Sequence, residues 1–112
     1  MKFYVLCDIE GVASLSCWDE ARSANSCYAP MAREMTLEAA AAARGLFSAG
    51  ADEVIIEDGH GDGCNIDCAL LPKGARLLRG VTHDIVGLTG IFDESYDGML
   101  MVGFPDAASA SG

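Results

Sequence analysis

Apolar and polar positions divide the chain into short runs that predict four strands around one long helix. Residues 2–9 form a brief apolar stretch rich in aromatic, aliphatic and β-branched residues, closed by Asp8 and Glu10. Such a run reads as a buried strand, too short for a helix. Residues 11–29 are mixed, with several serines, an asparagine and Trp18, and predict a long irregular connection of the kind that often carries binding residues. The period then changes. Met31, Met35, Ala39, Ala42 and Leu46 recur at spacings of four, four, three and four, which paints one stripe on a helix. Arg33, Glu34 and Arg44 fall off that stripe. Pro30 suits the first turn, where its missing N–H costs nothing. The alanine run from Ala39 to Ala43 favours helix and close packing on a sheet, and Gly50 supplies the stop.

Val54-Ile55-Ile56 marks a second buried strand over residues 53–57, followed by a glycine-rich loop over 58–65. Residues 75–79 predict a third strand, 82–89 a short helix and 97–104 a last strand. A strand, a helix of about twenty residues and a second strand make the βαβ pattern, so the fold class expected is α/β with a mostly parallel, helix-flanked sheet. The chain contains no internal repeat. Residues 1–104 read as one α/β domain, and residues 105–112, rich in Ala and Ser, as a low-complexity, frayed tail.

The length of 112 residues suits a single domain, and a chain of that size buries about two thirds of its unfolded surface. Seventeen acidic residues against seven basic ones leave a formal charge of −10. That field repels polyanions, which argues against nucleic acid and anionic membrane as partners. No apolar run approaches the ~20 residues of a membrane span. The start lacks the pattern of a secretory signal, so the compartment expected is the cytoplasm.

Five cysteines, an odd number without a Cys-x-x-Cys pair, predict reduced thiols rather than a disulfide framework. Cys7 is expected to pack as a small hydrophobe. Cys64 and Cys68 beside His60 have a loosely zinc-like spacing but no second cysteine pair.

Asp8-Ile9-Glu10 is the first chemically informative feature. In extended backbone the two carboxylates point to one face, at the carboxyl end of the first strand, where open parallel sheets bind ligands. Carboxylates this close repel each other unless a cation or a shared proton intervenes. The same triplet also suits two solvated acids where a strand meets its loop. Asp58-Gly59-His60-Gly61-Asp62-Gly63 follows the second strand directly. If the two strands are parallel neighbours, His60 opens at the same edge as Asp8 and Glu10, and two oxygens with one imidazole nitrogen form a partial zinc site. Alone, His60 reads more often as a surface histidine. The alternating glycines also suit a phosphate cradle, but the P-loop lysine is missing and Glu57, Asp58 and Asp62 would repel a phosphate. His83 has no evident partner and is expected at the surface.

At these residues the chain resembles the zinc-dependent D-aminopeptidase family of bacteria, metallopeptidases that remove an N-terminal D-amino acid from short peptides. The opening from Lys2 to Ala13, then Trp18, the run from Ala49 to Val54, Asp58-Gly59-His60-Gly61 with Asn65, Leu71-Pro72, Ala75-Arg76-Leu77, Arg79-Gly80, and Asp93 to Asp97 follow the family in order. The resemblance implies Asp8, Glu10 and His60 as metal ligands for one or two Zn2+ ions. It also implies a mostly parallel α/β sheet, short peptides containing D-amino acids as substrates, and assembly of copies into rings.

The departures are specific. Where the family has a Gly-Tyr-His motif whose histidine binds metal, this chain has Gly103-Phe104-Pro105. Family members are much longer and carry a further glutamate ligand, a catalytic histidine and much of the substrate pocket beyond this point. The expectation is a truncated or degenerate member with weak metal binding, no identifiable catalytic base and little or no hydrolysis by the chain alone. Two other classes remain. One is a non-catalytic binding or assembly module on the same scaffold. The other is a haloacid-dehalogenase-like phosphatase, although Glu10 and Val12 replace the aspartate and threonine of its opening motif.

Overall fold

A central strand must satisfy its backbone on both edges and bury both faces, and residues 2–7 are suited to that. In the computed structural model, which describes residues 1–13, 15, 17–80 and 91–104, β1 (Lys2–Cys7) lies between β2 (Glu53–Asp58) and β4 (Gly98–Val102). β3 (Arg76–Leu78) pairs with β2, so the order is β3-β2-β1-β4 with every pair parallel. The fold is the expected α/β type with a parallel sheet. A near-continuous apolar β1 follows from burial on both faces. The expected short helix at 82–89, the position of His83 and the expected tail at 105–112 lie outside the described residues.

The strands differ from expectation mainly at their ends. β1 stops at Cys7 rather than at residue 9, because the chain turns at once: Val12 N–H donates to the Ile9 carbonyl at 3.0 Å. β2 runs one residue further, through Asp58, which pairs with Cys7. Within the connection expected to be irregular, the described residues include a 3-10 helix at Trp18–Ala21.

The helix α1 (Tyr28–Ser48) begins two residues before Pro30. The first four N–H groups of a helix have no intrahelical partner, so proline in the third helical position loses nothing. At the other end Gly50 takes φ +105°. Its N–H donates to Phe47, and that of Ala51 to Leu46, both at 3.0 Å, the paired closure that favours glycine after a helix. The buried stripe is Ala32, Met35, Thr36, Ala39, Ala40 and Ala43. It shares Met35 and Ala39 with the expected stripe but is rotated toward the smaller residues. Alanine lets the helix approach the sheet closely, while Met31, Ala42 and Leu46 pack at the margin.

Under α1 lies the larger core, built on Val5, Cys7, Ile9, Val54, Ile56 and Ile66. Tyr4, Leu6 and Ile55 point to the opposite face and pack with Phe92, Tyr96 and Phe104. Phe92 and Tyr96 each meet the Tyr4 ring edge-on, with centroids 5.3 Å away. The Tyr4 hydroxyl donates to the buried Glu57 carboxyl. On the edge strand β4, Met99, Leu100 and Met101 are exposed. Among the described residues, no helix is long and apolar enough to cross a membrane.

Candidate metal centre

Two parallel neighbouring strands end at the same edge, so whatever follows β1 and β2 is delivered to one place. Cys7 and Asp58, the last residues of the two strands, are register partners. Beyond Cys7, Asp8 N–H still donates to Val102 at 2.9 Å, and Gly11 N–H donates to Gly103 at 2.7 Å. The exits of β1 and β4 are thereby joined main chain to main chain. The crossing is tight: a Cβ on Gly103 would stand 2.0 Å from the Asp8 carbonyl oxygen, and one on Gly11 2.2 Å from that of Phe104. On the other side Gly59 N–H donates to the Cys7 carbonyl at 2.9 Å, which starts the loop carrying His60.

Asp8, Glu10 and His60 converge at this edge, with one donor atom from each within 4.8 Å of the others. Asp8 and Glu10 meet through the turn after β1 rather than by strand alternation, since the strand has already ended. His60 Nδ1 lies 3.0 Å from Asp8 Oδ1 and 3.4 Å from Glu10 Oε1. Its Nε2 donates to the Ala21 carbonyl at 2.7 Å. Both ring nitrogens thus face acceptors, the environment of a doubly protonated imidazole. Hydrogen bonding to Asp8, then to Glu10, pushes the His60 pKa up to about 10 against the opposing effect of burial. The His60 hydrogen bond holds Glu10 down at about 2. Burial raises Asp8 above the ordinary carboxylate range despite its own bond to His60. The two acids are thus pushed in opposite directions, Asp8 by burial and Glu10 by its hydrogen bond to His60.

The His60 loop is anchored by residues that sequence reasoning did not single out as functional. Asp58, expected in the loop, is instead buried at the end of β2. Its Oδ2 accepts from the main-chain N–H of Asn65 at 2.6 Å and of Ile66 at 2.7 Å, and Oδ1 from the Asn65 side chain at 2.9 Å. Asn65 Nδ2 also donates to the His60 carbonyl at 2.5 Å, and Tyr28 donates its hydroxyl to Asn65 Oδ1. The fall of Asn65 seven residues after a strand-ending aspartate was the available signal. Nothing local pointed to Ala21. Beside the cluster opens a cavity of about 680 Å3 whose wall includes Glu10, His60, Arg22, Tyr28 and Asn65. Cys64 and Cys68 are exposed and stand outside the cluster of Asp8, Glu10 and His60, and all five cysteines are free.

The family profile described as D-aminopeptidase matches residues 1–112, the whole chain. The chain belongs to this family. Among solved structures, the D-aminopeptidase fold recurs in the Zn-dependent D-aminopeptidase DppA from Bacillus subtilis, described as a self-compartmentalizing protease. The TM-score is 0.83 at 27% identity, over 93% of this chain and 38% of that one. The chain therefore spans well under half the length of that D-aminopeptidase. No curated protein matches the chain.

Proposed function

We propose that this chain carries the metal-binding edge of a D-aminopeptidase, with Asp8, Glu10 and His60 as ligands to zinc and short peptides bearing an N-terminal D-amino acid as substrates. The convergence of these three side chains at the exits of two parallel strands carries the reading. The donor set fits the ion: carboxylate oxygens and imidazole nitrogen are ordinary zinc ligands, and three protein ligands leave a fourth position open. His60 would bind through Nδ1, because the Ala21 carbonyl holds the Nε2 proton and orients the ring. Held there, zinc would supply Lewis acidity toward a substrate carbonyl and toward water. Asp8 and Glu10 would supply the negative charge that retains the ion, and the adjoining cavity, about 680 Å3, has room for a short peptide.

Among the described residues, no further histidine or acid joins the cluster, and Pro105 stands where the family resemblance sets a fourth ligand. We infer weak zinc binding and little or no hydrolysis by the isolated chain, which is the sense in which a non-catalytic module on this scaffold stays in play. The phosphatase alternative gains no support from the comparisons. Association with further copies of the chain is supported by the exposed apolar edge of β4 and by the description of DppA as self-compartmentalizing. Five free cysteines suit a reducing compartment such as the cytoplasm.

The test is isothermal titration of zinc into the metal-free chain, with D-alanine release from D-Ala-D-Ala measured in parallel. Zinc uptake that is lost in His60→Ala is the expected result. No uptake by the parent chain overturns the ligand assignment, and robust turnover overturns the inferred inactivity.

A further inference from the structure

We propose that Asp58, Asn65 and Tyr28 act as one positioning unit that sets His60 for metal binding, an inference that rests on the ligand reading above. The loop from Asp58 to Asn65 carries Gly59, Gly61 and Gly63, two of them at positive φ, and glycines leave a backbone many alternatives. The same loop must present an imidazole to two carboxylates on a different element. A closed set of hydrogen bonds removes that freedom.

Asp58 is wholly buried at the last position of β2, so its carboxyl group is fixed by the sheet. Three N–H donors from the far end of the loop converge on it: the main chain of Asn65 and Ile66 and the Asn65 side chain. The start and end of the loop are thus tied together. The Asn65 amide nitrogen has a second proton, which goes to the His60 carbonyl at 2.5 Å. That carbonyl also accepts from Gly63 N–H at 2.9 Å. Tyr28, at the first position of α1, donates its hydroxyl to Asn65 Oδ1 and so selects which way the amide faces. A primary amide suits this position well: it offers two donors and one acceptor, whereas a carboxylate offers no donor and an aliphatic side chain offers neither.

The consequence is a His60 held at both ends, its carbonyl by Asn65 and its Nε2 by Ala21. Only Nδ1 remains to face Asp8 and Glu10. Groups that orient a metal-binding histidine without touching the ion generally contribute to affinity. Asp58, Asn65 and Tyr28 belong to that class, and none of them lies in the ligand cluster.

The experiment is zinc titration by calorimetry on the full chain as parent, Asn65→Ala, Tyr28→Phe and Asp67→Ala, with thermal unfolding of each metal-free protein. Cobalt absorption in the visible serves as a second readout of ligand geometry. Asp67 is the control, since its side chain caps a 3-10 helix at Cys68–Leu70 by accepting from Ala69 N–H and makes no bond to His60. Asn65→Ala is expected to weaken zinc binding by about tenfold or more, at unchanged stoichiometry of folded protein and with an altered cobalt spectrum. Tyr28→Phe should act in the same direction by less, and Asp67→Ala should leave affinity alone. A merely structural role would lower the unfolding midpoint without moving affinity or spectrum. Parent-like affinity, within about twofold, in both Asn65→Ala and Tyr28→Phe overturns this proposal while leaving the ligand reading intact. An equal loss in Asp67→Ala does the same. If Asn65→Ala does not fold, Tyr28→Phe alone decides, weaker binding supporting the proposal and unchanged binding overturning it. Absence of zinc uptake by the parent overturns both readings together.

Discussion

Replacing Gly103 by alanine should damage this protein far more than the same change at Gly61, although both glycines sit at positive φ, +72° and +57°. The shared penalty is the left-handed backbone, about 1–2 kcal/mol for a residue with a Cβ. At Gly61 that is the whole effect, because nothing lies within 4 Å of the added atom. At Gly103 the new Cβ would stand 2.0 Å from the Asp8 carbonyl oxygen and 3.3 Å from Val12 Cγ2. A main-chain oxygen cannot rotate away, so the exits of β1 and β4 must separate. The bonds that join them, Asp8 N–H to Val102 and Gly11 N–H to Gly103, are then stretched or lost. At about 0.5–1.5 kcal/mol each they bring the expected total for Gly103→Ala to about 2–5 kcal/mol. That is a large share of the roughly 5–15 kcal/mol available to a small domain. Urea unfolding followed by circular dichroism measures it, with an unchanged denaturant slope confirming that only stability moved. A Gly103→Ala loss within about 0.5 kcal/mol of the Gly61→Ala loss would refute the backbone-crossing argument.

Two further outcomes follow from the site and the edge strand. The imidazole is protonated at neutral pH, since Asp8 and Glu10 raise its pKa to about 10, and zinc must displace the Nδ1 proton. Zinc affinity should therefore rise with pH and fall with acid, by about tenfold per unit for one proton. Calorimetry in two buffers of different ionisation enthalpy reads the proton release, and an affinity that is flat between about pH 6 and 8 would contradict it. On β4, Met101→Lys places a charge on an exposed apolar edge, the ordinary means of blocking strand-to-strand pairing. Light scattering should show less self-association than the parent, and equal association in the two proteins would remove β4 from the interface.

The parts of this fold legible in the sequence are those written in local periodicity. The apolar runs at residues 2–7 and 54–56 and the four-residue repeat from Met31 onward each demand a burial geometry that only one element type supplies. The convergence of Asp8, Glu10 and His60 is legible because βαβ connectivity makes β1 and β2 parallel neighbours, and the structure pairs Cys7 with Asp58. Other features depend on contacts between distant segments. The placement of β4 beside β1 has no local signature. Neither does the Tyr28 hydroxyl on Asn65, thirty-seven residues away. An aspartate before glycine reads as loop, yet Asp58 ends β2, and its burial is made tolerable by three N–H donors that come from Asn65 and Ile66.

The acceptor for His60 Nε2 is a main-chain oxygen, that of Ala21 at the end of the 3-10 helix. No exchange of side chain at that position deletes the contact. A scan of single substitutions would accordingly score position 21 by how well a bulkier group fits its buried surroundings, and would be blind to its tie to the imidazole. The route taken by the chain between β1 and α1 sets the ring's orientation, so loop length and turn geometry there are the variables through which selection or engineering would reach the centre.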